Sequence, residues 1–221
     1  MPPMRTFGRV RGRPLKPRQA DLISTVLPRL ALPAQPFNPR DLAPDAREVW
    51  LEIGFGGGEH MVGQALAHPD VLILGAEPFL NGVGQALGKI AAVGIGTVRL
   101  HAGDARDVLA ALPDASLTRV FILFPDPWPK ARHHKRRLIQ PDLVRELARV
   151  MAPGARLRFA TDWADYADHT LAVFAAAPDF AWTAEQADDW RLPPADHLTT
   201  RYEQKRLGDC APIFLEFERR P

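Results

Sequence analysis

The sequence predicts an α/β fold, doubly wound around a mainly parallel sheet with helices on both faces. Three observations carry that reading. From Glu48 onward, short apolar runs alternate with longer stretches of helical spacing, the pattern of parallel strands joined by right-handed crossovers. Glycines and acids follow directly after those runs, at the strand ends where such sheets hold ligands. The last run, "APIFLEFERR", alternates Ile213, Leu215 and Phe217 with more polar neighbours, as a late strand does.

Taken in order, the chain opens on a basic arm. Proline supplies 22 of 221 residues, about twice the usual ~5%, and many fall early, so residues 1–45 read as a loosely structured, proline-rich segment with a short helix near 19–30. Residues 46–221 form the main domain; a chain of this length fills one α/β core and is short for two independent ones. Within it "EVWLEIG", "VLILGAE", "TVRLHAG", "LTRVFILF" and "ARLRFAT" read as buried strands, and 59–67, 79–93, 138–151 and 164–176 as helices.

The net charge of +2 is small, so any basic character lies in its distribution. Arg5, Arg9, Arg11, Arg13, Lys16 and Arg18 have no acid among them, and Lys130, Arg132, Lys135, Arg136 and Arg137 enclose His133 and His134. Both blocks are candidate phosphate-binding surfaces. The single cysteine, Cys210, excludes an internal disulfide and points to a reduced, cytoplasmic protein. No apolar run is long enough for a membrane span and the start lacks a signal-like core. No acid or cysteine stands at ligand spacing beside His133 and His134, so no metal is expected.

"LEIGFGGGEH" follows the first strand and opens a helix, with Gly54, Gly56, Gly57 and Gly58 permitting a tight turn and close backbone approach to a ligand. A dinucleotide fingerprint needs glycine at the sixth position counted from Gly54, and Glu59 stands there, a negative group near the place of a pyrophosphate. S-adenosylmethionine, which carries no phosphate and has cationic groups, suits the spacing better. Glu77 ends the second strand, either as a ribose-binding carboxylate or as a solvated strand-end acid, and Asp104 follows the third, within reach of an adenine amine. Three such strand ends in succession point to an adenosyl cofactor.

After the fourth strand comes "FPDPWPKARHHKRRL". Pro125, Pro127 and Pro129 stiffen the turn around Asp126, and Trp128 either covers core or offers a face for a base. Asp162 ends the fifth strand, as a ligand or as the cap of the next helix; "TTRYEQKRLG" precedes the last strand, as a base pocket or a surface loop.

On "EIGFGGG", "AEP", "GDARD", "FPDPWPKARHHKRRL", "TDWADYA" and "TRYEQK", the chain resembles the bacterial tRNA (guanine-N7)-methyltransferase family over almost its whole length. The resemblance implies the seven-stranded Rossmann-like methyltransferase sheet with an antiparallel last strand, and transfer of the methyl group of S-adenosylmethionine to N7 of a guanosine in the variable loop of tRNA. It implies that Glu52, Gly54, Gly56, Gly58, Glu77, Asp104 and Asp126 bind S-adenosylmethionine and that Asp126 is also the active-site acid. Lys130, Asp162, Thr200, Arg201, Tyr202 and Glu203 would hold the substrate, and Arg132, His133, His134, Lys135, Arg136 and Arg137 would meet the RNA. No membrane or obligate protein partner is implied, and the assembly is a monomer or homodimer. The sequence departs from the family in Ala131, where a second basic residue is common, and in a short N-terminal arm.

Three other functions compete. Methylation of an exocyclic amine keeps fold and cofactor, but favours a D-P-P-Y or N-P-P-Y turn where this chain has Asp-Pro-Trp-Pro-Lys. A non-catalytic RNA-binding module would have a broken glycine loop or missing acids. A dehydrogenase is disfavoured by Glu59.

Overall fold

The computed structural model describes residues 12–221; Arg5, Arg9 and Arg11 lie outside them. Two compact units divide at Leu112 and Pro113, and seven strands form one mixed sheet of order β3-β2-β1-β4-β5-β7-β6.

In the first unit, helices α1 (Pro17–Thr25), α2 (Leu27–Leu30) and α3 (Pro39–Leu42) precede β1 (Glu48–Ile53), α4 (Glu59–Ala67), β2 (Val71–Ala76), α5 (Leu80–Val93), β3 (Val98–His101) and α6 (Ala105–Ala111). β1 and β3 both pair with β2 in parallel. Every residue of β2 is buried, as a central parallel strand covered on both faces must be. From Gly12 onward the early segment is packed rather than loose. The Asn81 side chain accepts from Gly12 N–H at 3.1 Å and donates to Arg13 O at 2.9 Å, and Leu32 N–H donates to Leu100 O at 2.9 Å. On α5, a Cβ on Gly84 would lie 3.0 Å from Gln19 Cβ, so the missing side chain lets α1 settle on α5.

The second unit holds β4 (Leu117–Leu123), α7 (Pro141–Val150), β5 (Met151–Thr161), α8 (Ala164–Ala175), β6 (Phe180–Trp182), α9 (Asp188–Arg191) and β7 (Ile213–Arg219), with 3-10 helices at Ala131–Arg136 and Glu203–Lys205. β4 and β5 are parallel, while β7 is antiparallel to both β5 and β6. Its core is aromatic: Phe174 of α8 stacks on Phe217 of β7 with centroids 3.9 Å apart and meets Phe180 edge-on. No helix of the described residues is long and apolar enough to cross a membrane.

Candidate functional site

The glycine loop is bent by three left-handed residues, Gly54 (φ 79°), Gly56 (φ 52°) and Gly58 (φ 76°), a region that side chains other than glycine enter at a cost. Between them Phe55 turns inward and is buried, its ring so close to β2 that a Cβ on Gly75 would lie 2.8 Å from it. Anchored by this ring, the loop keeps its other side open: a Cβ added at Gly54 or Gly56 would meet nothing within 4 Å. Gly58, in contrast, is held tight against α5, where a Cβ would stand 2.7 Å from Ala86 Cβ.

The acids around this loop are built into its frame. Glu77 is 7% exposed and accepts from Gly56 N–H and Phe79 N–H, both at 2.8 Å. It thus ties the loop to the end of β2. Glu52 is buried and takes a 2.6 Å hydrogen bond from His60 Nδ1, while His60 Nε2 lies 3.2 Å from Gln64 Nε2. The Gln64 amide donates to Nε2, so Nδ1 carries the proton that reaches Glu52. Asp104 caps α6, accepting from Arg106 N–H at 3.0 Å and pairing with its guanidinium at 3.2 Å. Glu59 stands over Gly57 and pairs with Lys89 at 3.0 Å.

In the second unit, β4 runs into a turn with unusual backbone. Phe124 N–H still bonds to Ala160 O at 2.7 Å, but Phe124 (φ 51°) and Trp128 (φ 45°) both sit in the left-handed region, at a cost on the order of 1–3 kcal/mol each. Asp126 projects from the middle of this turn. Among the described residues its carboxylate has no hydrogen-bond or ion-pair partner. It is reachable by solvent yet crowded enough by protein that desolvation raises its pKa above the ordinary 3.8. Tyr202 is close by: burial first, then the charges of Asp162 and Asp126, push its phenol upward, which keeps it a protonated donor. Phe124 and Tyr202 rings lie 6.1 Å apart.

Asp162 does not cap α8; that amide, Ala164 N–H, donates to Asp209 at 2.9 Å. The buried Asp162 carboxylate accepts instead from Gly208 N–H at 2.9 Å, and its carbonyl from Cys210 N–H at 3.1 Å. The thiol of Cys210 is pushed up to about 11 by burial and by Asp209 and Asp162, which disfavours the reactive thiolate. Thr200 and Glu203 form a reciprocal cap, each side chain accepting the other's backbone N–H, at 3.1 and 3.3 Å, and Glu203 also meets His197 at 2.8 Å. Arg201 is exposed on the same turn.

The basic run divides. Lys130, Arg132 and Lys135 are exposed, His133, His134 and Arg136 half-buried. Trp128 is half-buried under Arg136, whose guanidinium carbon is 5.1 Å from its ring, and beside the His133 edge. Desolvation and the cations Arg136, Arg132, Lys130 and Lys135 hold His133 below its ordinary pKa of 6.5, so it is neutral at pH 7. His134 Nε2 lies 3.2 Å from the Asp165 carboxylate. Arg137 corrects the expectation that all these cations face RNA: it is 1% exposed and turned into the protein.

Sequence reasoning passed over a second charged cluster. Arg158 of β5 is 3% exposed and binds Glu216 through Nε at 2.7 Å and Asp196 through Nη2 at 2.7 Å, while Arg119 meets the other Asp196 oxygen at 2.7 Å. The signal was present: a charged residue inside the buried run "RLRFAT" requires a partner.

A family model described as "Putative methyltransferase" matches residues 46–214. A protein of Caulobacter vibrioides named "tRNA (guanine-N(7)-)-methyltransferase" is 60% identical over 98% of this chain and 96% of its own length. One of Hyphomonas neptunium with the same name is 52% identical over 97% of this chain and 99% of its own. Among solved structures, a 16S rRNA (adenine(1408)-N(1))-methyltransferase from Catenulisporales acidiphilia aligns with TM-score 0.59 at 20% identity, covering 87% of this chain and 98% of its own; it shares the fold.

Proposed function

Because the chain belongs to the tRNA (guanine-N7)-methyltransferase family, we propose that it transfers the methyl group of S-adenosylmethionine to N7 of a guanosine in tRNA. The observation that carries the chemistry is the Asp126 carboxylate, without a partner among the described residues, on its proline turn near Tyr202.

The first unit fits the cofactor. The open side at Gly54 and Gly56 is a cradle that any side chain would fill, and the side chains at the neighbouring strand ends, Glu52, Glu77 and Asp104, are acidic, which suits a cationic ligand without phosphate. Glu52, Gly54, Gly56, Gly58, Glu77 and Asp104 would hold the molecule, with Glu77 toward the ribose and Asp104 toward the adenine amine. When bound, S-adenosylmethionine supplies a methyl group already activated by its sulfonium.

Guanine N7 carries an in-plane lone pair, so no base is required to deprotonate it. The residues of the second unit therefore have two tasks, alignment and charge. Asp126 accepts from the guanine N1 and N2 hydrogens or stabilises the positive charge that develops on the ring. Lys130, Asp162, Thr200, Arg201, Tyr202 and Glu203 hold the substrate. Exposed Arg132 and Lys135, with Arg136, His133 and His134, meet the phosphates and sugars, a sequence-independent attraction that positions the RNA. The basic arm within residues 1–45 would also meet phosphates, and a tRNA substrate fits a cytoplasmic protein.

Incubating the protein with unmodified tRNA and S-adenosylmethionine and analysing nucleosides by mass spectrometry tests the reading. N7-methylguanosine, with strand cleavage after reduction and aniline, is the expected product. A methyl group on an exocyclic amine, or none, overturns it.

A further inference from the structure

Resting on that reading of the site, we infer that Arg137 is a positioning residue, which locks the turn carrying Asp126, and that it makes no contact with RNA. The guanidinium is 1% exposed; a phosphate has no path to it. All of its nitrogens are committed: Nε donates to Pro127 O at 2.9 Å, Nη1 to Asp165 O at 3.3 Å, and Nη2 to the Asp165 carboxylate.

The Pro127 carbonyl is the link that matters, because it follows Asp126 directly. Prolines at 125, 127 and 129 remove three backbone donors from this turn, so the hydrogen bonds that normally fix a tight turn are not open to it. Two bulky residues, Phe124 and Trp128, hold left-handed φ on either side of Asp126. Strained backbone persists only where its surroundings over-determine it, and the Arg137 fork does so from within.

Arg137 is itself fixed from the sheet outward. Its guanidinium carbon lies 4.9 Å from the Tyr166 ring centre, and that ring is fully buried and packs edge-on against Phe159 of β5 at 5.2 Å. Tyr166 Oη accepts from Ile139 N–H at 3.3 Å, two residues beyond Arg137. A continuous chain of packed groups thus runs from β5 through Tyr166 and Arg137 to the carbonyl after Asp126. Lysine cannot replace it: its ammonium is a point charge without the planar fork that reaches Pro127 O and Asp165 together.

The test uses the full chain and compares wild type with Arg137→Lys, Asp165→Asn and Arg132→Ala. Single-turnover methyl transfer is measured at saturating tRNA and S-adenosylmethionine, and tRNA affinity at several salt concentrations. Arg137→Lys should lose at least tenfold in rate, with tRNA affinity and salt slope within about twofold of wild type. Arg132→Ala should weaken affinity and flatten the slope. Asp165→Asn, at a side chain 59% exposed, keeps an acceptor oxygen for Arg137 and should lower the rate several-fold without weakening tRNA binding, with folding checked by thermal melts; it decides the matter alone if those melts show Arg137→Lys unfolded. A wild-type rate in Arg137→Lys overturns the inference, as does a wild-type rate in Asp165→Asn. Wild-type protein that makes no N7-methylguanosine sinks the proposed function instead, a distinguishable result.

Discussion

Asp196 bridges two arginines, one of them buried, and its removal should be felt through the whole second unit. Its two carboxylate oxygens meet Arg158 and Arg119, each at 2.7 Å. Arg158 is 3% exposed and its Nη1 has no hydrogen-bond partner among the described residues, so loss of Asp196 would leave this buried cation leaning on Glu216. Breaking a buried pair from one side costs about 3–5 kcal/mol; Glu216 remains and Asp196 is 35% exposed, which puts Asp196→Asn at about 2–3 kcal/mol. In a chain of this size ~1 kcal/mol moves Tm by about 2–4 °C, so the melt should fall by about 4–12 °C. Burial opposes ionisation of Asp196, but hydrogen bonding and attraction to Arg158 and Arg119 outweigh it and lower its pKa below the ordinary 3.8. With the folded pKa depressed, the stabilisation is fully present above the unfolded pKa and lost only as pH falls through the folded one. Calorimetric melts of wild type and variant should therefore differ equally at pH 7 and pH 5. An unchanged Tm, or a difference that collapses between those pH values, would refute the argument.

Asp126→Ala should abolish single-turnover methyl transfer while tRNA affinity stays within a few-fold; a variant that retains most of the rate removes Asp126 from the mechanism. Because desolvation raises its pKa above 3.8, the wild-type rate should drop tenfold per pH unit on the acid side at a pKa above that value, and a flat acid limb counts against an ionised Asp126. Gly56→Ala, in open space but at φ 52°, should cost about 1–2 kcal/mol of stability and most S-adenosylmethionine affinity by titration calorimetry, whereas tight NADH binding in the wild type would discredit the cofactor. Replacing Lys130, Arg132 and Lys135 with alanine should reduce the slope of log affinity against log salt by about 0.7–0.9 for each phosphate no longer neutralised, with S-adenosylmethionine affinity unchanged; equal slopes would mean that these cations only face solvent.

The strands and long helices were legible because each carries a full period of apolar residues. The expected helices at 59–67, 79–93 and 164–176 stand at Glu59–Ala67, Leu80–Val93 and Ala164–Ala175. What escaped was short or interrupted. β6 has three residues and α6 seven, too few for periodicity, although Asp104 carried the capping signal for α6. The helix expected over 138–151 begins only at Pro141, whose fixed φ suits a first helical position. At its other end Met151 already belongs to β5, paired with Leu117 before the irregularity that includes Gly154 at φ 79°.

The site was harder to read because its polar residues hold the backbone as well as face a ligand, and sequence does not separate the two. Glu77, expected to grip a ribose, also fixes Gly56 and Phe79. Thr200 and Glu203, expected in a base pocket, satisfy each other's backbone, as the T-x-x-E spacing alone permits. Arg137 marks the limit of reading charge from spacing: it adjoins Arg136 in sequence, yet Arg136 lies over Trp128 while Arg137 is buried against Tyr166. The reason is the 3-10 helix over Ala131–Arg136, which ends at Arg137 in extended conformation, ψ 141°. Its C-terminal residue turns inward because Asp165 and the Pro127 carbonyl are there to receive it, partners 28 and 10 positions away that no local pattern could identify.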